Sequence, residues 1–249
     1  MQRHVIVVAH PDDEILWLSS VMAQADPVVL CFGAPYGNPK MAENRTRAVA
    51  HLDLPRLENL ALPETGARML VDWKNPRLTK TGIATLDLAA QARYDANFPV
   101  LLEKLRPILV GATDVYTHNP WGEYGHTEHI QVYRAVKTLQ DELGFTVWFS
   151  NYASPWTREL AQQLGRAASW QEKHVLRTDV EIARRLQKIY QKYKAWTWSD
   201  WHRWPATETL YAQPAGPAEG WCSMQNEVLY NAFGLRLWRP IWTAKWRLS

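Results

Sequence analysis

The sequence predicts an α/β domain of Rossmann-like, three-layer α/β/α type built around a mainly parallel sheet. Two observations carry this. Short β-branched runs without polar alternation, at residues 5–8 and 27–32, have the pattern of strands covered on both faces. Such runs alternate along the chain with helical segments, as parallel strands joined by right-handed crossovers require. The length of 249 residues fits one domain of this kind with an ample core.

In chain order, residues 5–8 form the first strand and 14–24 the helix after it. Residues 27–32 are a second buried strand, 43–52 a helix and 58–62 a short strand. Residues 63–90 are irregular and rich in turn formers. A helix over 91–105 is closed by Pro107, and 108–111 is the next strand. A polar loop over 117–125 leads into a helix over 126–143 and a strand over 145–150. Residues 179–193 make an amphipathic helix with Ile182, Leu186 and Ile189 on one face. No repeat or linker divides the chain. One domain over 1–249 is expected, with its core in about 1–155 and a Trp-rich C-terminal extension, 156–249, packed on that core.

A formal charge of +3 with scattered basic residues gives no patch for nucleic acid or an anionic membrane. No apolar run reaches the roughly 20 residues that span a bilayer. The N-terminal apolar stretch is too short for a signal-peptide core, so the expected location is cytoplasmic. Cys31 and Cys222 form no CxxC pair, and both read as buried small hydrophobes. Eight of the fourteen tryptophans follow residue 195. Large aromatics fill cores and subunit interfaces, so a homo-oligomer is compatible with this excess. Their flat rings can also stack on a ligand, which makes Trp121 and the group Trp196, Trp198, Trp201 and Trp204 candidates for a substrate wall.

Ligands of parallel sheets sit beyond the carboxyl ends of the strands. The loops at 10–13 and 117–126 both follow candidate strands and open onto that edge. The first holds His10-Pro11-Asp12-Asp13-Glu14. Acidic residues here suit the first turn of a helix, but capping does not explain a histidine at the end of the strand. His10 and Asp13, three residues apart across a tight turn, can point at one ion, and imidazole with carboxylate suits zinc. The intervening Asp12 then stays unligated beside the ion, free to take a proton from water.

The second cluster is Tyr124-Gly125-His126-Thr127-Glu128-His129, in which His126 and His129 share a helix face at i and i+3. A catalytic zinc site wants three protein ligands and one open position. His10, Asp13 and one of these histidines complete that set; His129, deeper in the helix, suits ligation, and His126, nearer the loop, suits contact with substrate. Fe2+, Co2+ and Ni2+ match the same donors. Ahead of this cluster, His118-Asn119-Pro120-Trp121-Gly122-Glu123 has the composition of a rim loop, with His118 and Glu123 as candidate substrate contacts.

The block Val8-Ala9-His10-Pro11-Asp12-Asp13-Glu14 after an N-terminal strand, joined to His126-x-x-His129, resembles the LmbE/PIG-L family of zinc-dependent N-acetylglucosamine deacetylases. The resemblance covers residues 3–150 in organisation. It implies an LmbE-like fold and a Zn2+ cofactor held by His10, Asp13 and His129. It further implies Asp12 as general base, His126 stabilising or protonating the tetrahedral intermediate, and Tyr124 helping to hold the oxyanion. An arginine of the second helix, Arg45 or Arg47, would contact substrate. The implied reaction frees acetate and an amine from a small molecule or glycoconjugate bearing an N-acetyl amino sugar. The family's second motif often reads His-Pro-Asp-His, and here Thr127 and Glu128 take the middle positions. An amidase acting on a sugar–thiol conjugate uses the same chemistry. A non-catalytic carbohydrate-binding protein is disfavoured because His10, Asp12, Asp13, His126 and His129 are all retained. A nucleotide-binding module is disfavoured because no Gly-rich phosphate loop follows the first strand.

Overall fold

Along β1 (His4–Val8), Val5 and Val7 face one helical layer, while Ile6 and Val8 face the other, and all four are fully buried. This two-sided burial explains why the run carries no polar alternation. The computed structural model describes residues 2–217 and 222–230. The remaining strands of the main sheet are β2 (Ala25–Ala34), β3 (Leu57–Pro63), β4 (Asp114–Thr117), β5 (Thr146–Ser150), β6 (Glu172–Arg177) and β7 (Thr207–Gln213). The spatial order is β6-β7-β5-β4-β1-β2-β3. Strands β1 to β5 run parallel to their neighbours, and β7 and β6 add an antiparallel edge beyond β5.

Helices cover both faces. Apolar residues of α3 (Leu88–Leu109), α4 (Thr127–Leu143) and α5 (Arg158–Ala167) pack on the Val5 and Val7 face. Residues of α1 (Asp13–Trp17), α2 (Pro39–Val49) and α6 (Val180–Lys192) pack on the Ile6 and Val8 face. The predicted three-layer α/β/α fold with a mainly parallel sheet is the one observed.

Three expectations are corrected. The helix expected over 14–24 is only one turn, and a 3₁₀ segment, Ser19–Gln24, takes over after Leu18. The buried Glu208 of β7 accepts from Ser19 Oγ (2.6 Å), Ser20 N (3.0 Å) and Ser20 Oγ (2.6 Å), a tertiary pull that overrides helix propensity. Residues 108–111 are not a strand. Phe98, Leu101, Leu105 and Leu109 keep helical spacing on the buried face straight through Pro107, so α3 runs on to Leu109. Its last carbonyls, on Ile108 and Val110, accept from the Arg3 guanidinium at 2.8 Å each. Cys31 is buried as expected, but Cys222 is exposed, on a two-residue strand that pairs with Trp170 and Ser169 outside the main sheet. The C-terminal third supplies α5, α6 and two strands of the main sheet. Trp221, Trp238, Trp242 and Trp246 lie outside the described residues.

Candidate active site

His10 stands just past the carboxyl end of β1, and His118 just past the end of β4, its neighbour in the sheet. The chain turns at Asp12, whose φ of 99° is in the left-handed region, and enters α1 at Asp13. His126 stands at the N-terminal boundary position of α4 without a side-chain capping bond, which puts His129 in the first turn of that helix. Sheet adjacency therefore brings together residues more than 100 positions apart. All of these side chains are nearly or fully buried.

Among the described residues, two triplets bring candidate ligand atoms within 4.8 Å of one another: His10, His126 and His129, and Asp13, His118 and His129. His118 is already committed. Its Nε2 accepts from Ala9 N at 2.8 Å, which uses the lone pair a metal would need, and its Nδ1 faces Glu123 Oε2 at 3.1 Å. Around Asp13 Oδ2 the remaining donors converge. His10 Nδ1 lies 3.1 Å away and His129 Nε2 3.2 Å away, and the two ring nitrogens are 3.3 Å apart. Ligand bonds of about 2.0–2.2 Å in a tetrahedral site give ligand-to-ligand edges of roughly 3.3–3.6 Å. The three atoms lie within a few tenths of an ångström of that triangle. Asp13 is steadied by its contacts to His10 N (2.8 Å) and Trp17 Nε1 (3.3 Å).

The electrostatics fit a cation at this point. Burial holds the His10 ring down at about 4 and the His126 ring at about 3, so both keep free lone pairs at neutral pH. For His129, burial opposes the charge, but the carboxylates of Asp13 and Glu123 outweigh it and push the ring up to about 9. A positive charge is thus wanted between His129 and Asp13. Glu123 Oε2 accepts from His129 Nδ1 at 2.7 Å, which leaves Nε2 turned toward Asp13. Burial also opposes the Asp13 charge, and the surrounding histidines nonetheless hold its carboxyl well below the usual range.

Asp12 is not part of this triangle. Its Oδ2 accepts from Thr197 Oγ1 (2.6 Å) and Thr197 N (3.1 Å). Burial and the neighbouring Asp13 charge raise its carboxyl above the usual range. Glu14, beside it, accepts from Asp12 N (3.0 Å) and from Tyr190 OH (2.6 Å). The His126 ring stacks on His129, with centroids 4.9 Å apart, and meets His10 edge-on at 4.3 Å. Its Nδ1 lies 3.1 Å from Glu128 Oε2. Glu128, one of the two middle residues of the motif, is buried and anchored by Thr65 N (3.1 Å) and Thr65 Oγ1 (2.7 Å). Tyr124 packs edge-on to His129 and Trp198, at 5.2 and 5.0 Å.

Four expected substrate contacts are placed elsewhere. His118 and Glu123 are buried beside His129, and Glu123 Oε2 faces Nδ1 of both rings. Trp121 is a core residue: its ring has no exposed surface, and its indole N–H donates to Tyr152 O at 2.7 Å. The turn formers around these three fold the loop inward, which its polar composition did not foretell. Arg47 is exposed on α2, with its guanidinium over the Tyr193 ring. Arg45 is the arginine at the site, buried and paired with Glu64 Oε1 at 2.5 Å, the same oxygen that lies 3.6 Å from His10 Nε2. Sequence reading missed Glu64, Trp17 and above all Thr197. Thr197 sits 185 residues from its partner, and no local spacing signals it.

The mainly parallel seven-stranded sheet flanked by helices matches the fold of solved LmbE-like deacetylase structures. The deacetylase of teicoplanin biosynthesis, in complex with teicoplanin, superposes with a TM-score of 0.53 at 15% identity, covering 85% of this chain and 97% of that one. The zinc-inhibited form of the teicoplanin deacetylase Orf2 gives a TM-score of 0.51 at 15% identity, with the same coverage. No protein-family model and no curated protein sequence matches the chain. The likeness is therefore one of fold, and the chemistry has to be argued from the residues.

Proposed function

We propose that this chain is a divalent-metal-dependent amide hydrolase that removes the acetyl group from an N-acetylated amino sugar or glycoconjugate. The single observation that carries the reading is the triangle of His10 Nδ1, Asp13 Oδ2 and His129 Nε2, with Asp12, next to Asp13 in the chain, outside the triangle. These three residues would hold the cation, Zn2+ being the first choice for such donors. When bound, the metal supplies Lewis acidity toward water and the amide carbonyl.

The protein's own groups do the rest. Asp12 accepts a proton from the attacking water as its oxygen adds to the carbonyl carbon. His126, the most exposed histidine of the cluster, and Tyr124 bracket the face where negative charge develops on the carbonyl oxygen. The carbon–nitrogen bond then breaks, the nitrogen takes the proton that Asp12 had accepted, and acetate and the free amine leave. Arg45, held by Glu64, adds positive charge beside Asp12 and Asp13. The choice of an N-acetyl sugar rests on the AHPDDE resemblance and on the shared fold with a teicoplanin deacetylase.

The test is acetate release over a panel of free, lipid-linked, inositol-linked and oligomeric N-acetyl sugars, with larger N-acyl groups as comparison, before and after chelation. Release that is lost on chelation and restored by Zn2+ is expected. Asp12→Asn should keep the metal and lose about 10²–10⁴-fold in kcat. A fully active Asp12→Asn enzyme, or turnover indifferent to prolonged chelation, overturns the reading.

A further inference from the structure

We propose that Thr197, supplied by the segment that follows α6, is a positioning residue that fixes the carboxylate of Asp12 for proton transfer. The inference rests on the reading of Asp12 as the proton acceptor. Both of its hydrogen bonds, from Thr197 Oγ1 at 2.6 Å and Thr197 N at 3.1 Å, fall on one carboxylate oxygen, Oδ2. Two donors from one residue set the torsion of the carboxylate and occupy that oxygen. Among the described residues, Oδ1 accepts no hydrogen bond and is left for the incoming proton.

The donor is itself held rigidly. Lys194, at φ 57°, ends the helix, and Ala195 N and Trp196 N donate back to Tyr190 O at 2.8 and 3.3 Å. Asn44 Nδ2 of α2 donates to Lys194 O at 3.1 Å. Tyr190 OH reaches Glu14, and beyond the segment Trp204 Nε1 donates to Ile15 O at 2.6 Å. The strap over residues 195–204 is therefore tied on both sides to α1, the helix whose first turn carries Asp13. Next to Thr197, Trp198 meets Trp17 edge-on at 5.8 Å, and Trp17 Nε1 donates to Asp13 Oδ1. Neither Thr197 nor its strap reaches the three candidate metal ligands through a hydrogen bond to their convergent atoms. Its effect should accordingly fall on proton transfer and leave metal binding alone.

The experiment compares Thr197→Val, which keeps the shape and removes the hydroxyl donor, with Thr197→Ser, which keeps the donor. Steady-state kinetics are run on whichever panel substrate the wild type deacetylates, and zinc content is measured on each purified protein. Removing one hydrogen bond to a charged group should lower kcat about 10- to 100-fold for Thr197→Val. KM should stay within about twofold and zinc stoichiometry should be unchanged, and Thr197→Ser should recover most of kcat. A wild-type kcat in Thr197→Val, an equal loss in Thr197→Ser, or a loss of zinc in step with activity overturns the inference while the hydrolase reading stands. A wild type silent on the whole panel overturns the hydrolase reading itself, and the inference with it.

Discussion

Glu123 was expected on the rim and is buried beside His129, where one carboxylate oxygen faces Nδ1 of both His118 and His129. Burial opposes its charge, yet the two histidines hold its carboxyl below the usual range, so it orients the His129 ring as an anion. Glu123→Gln keeps the size and weakens that orientation. The expected result is a loss of about 10- to 100-fold in zinc affinity or activity, read by competition with a calibrated chelator. Unchanged affinity and turnover would return Glu123 to a purely structural role. His202 shows the other residue-scale effect. Burial among Trp196, Trp198 and Trp204 holds its ring down at about 4, against 6.5 for an ordinary histidine. The unfolded chain thus binds more protons between those values, so the contribution to stability is fully present above pH 6.5 and is lost as the pH falls toward 4. Allowing for partial exposure, about 1–3 kcal/mol is at stake. His10 and His126 carry the same sign, so the informative measurement is a difference. His202→Phe should flatten the fall in denaturation midpoint between pH 7 and pH 5 relative to wild type, and an identical slope would refute the assignment.

At the scale of elements, α4 shows local sequence and outcome in agreement. His126 stands at its N-terminal boundary, Gly144 ends it at φ 82°, and the i, i+3 spacing puts both histidines on the site face. The start of α1 does not follow from local sequence alone. Asp12 lies in the left-handed region with its carboxylate held by Thr197, and the helix stops after one turn because Ser19 and Ser20 are drawn to Glu208. That contact joins the antiparallel edge to the segment carrying the site. Glu208→Ala leaves two hydroxyls and a backbone N–H without their acceptor, and should cost about 2–4 kcal/mol in chemical denaturation. A change under about 0.5 kcal/mol would show that water replaces the carboxylate at no cost. The helix through Pro107 makes the complementary point. Its Phe98, Leu101, Leu105 and Leu109 spacing packs one continuous face into the core, and that burial outweighs the helix-breaking tendency of the proline.

For the whole molecule, the site joins all parts of the described chain. β1 and α1 give His10, Asp12 and Asp13; α2 gives Arg45; α4 gives His129; and the strap after α6 gives Thr197. A cation held by three of these groups should stabilise the fold as a unit. At a free concentration about a hundred times its Kd, the gain is about 2.7 kcal/mol. For a chain of this size that corresponds to a rise of roughly 5–10 °C in Tm on adding Zn2+ after chelation. No shift in calorimetry would mean that the triangle does not bind the ion. Among the described residues, no helix is long and apolar enough to cross a membrane.

What the sequence determined by itself was the layered α/β fold, through strands that are apolar on both faces, and two short motifs of local spacing that supply the three residues of the candidate metal triangle. His10 to Asp13 and His126 to His129 are three-residue intervals, and geometry over such intervals follows from the turn or helix that contains them. The tertiary structure alone decided which side chains of the second loop face inward, which of Arg45 and Arg47 lies at the site, and that Thr197 holds Asp12. Those outcomes depend on contacts between segments far apart in the chain, set by how the layers pack, and no periodicity or propensity along the sequence encodes them.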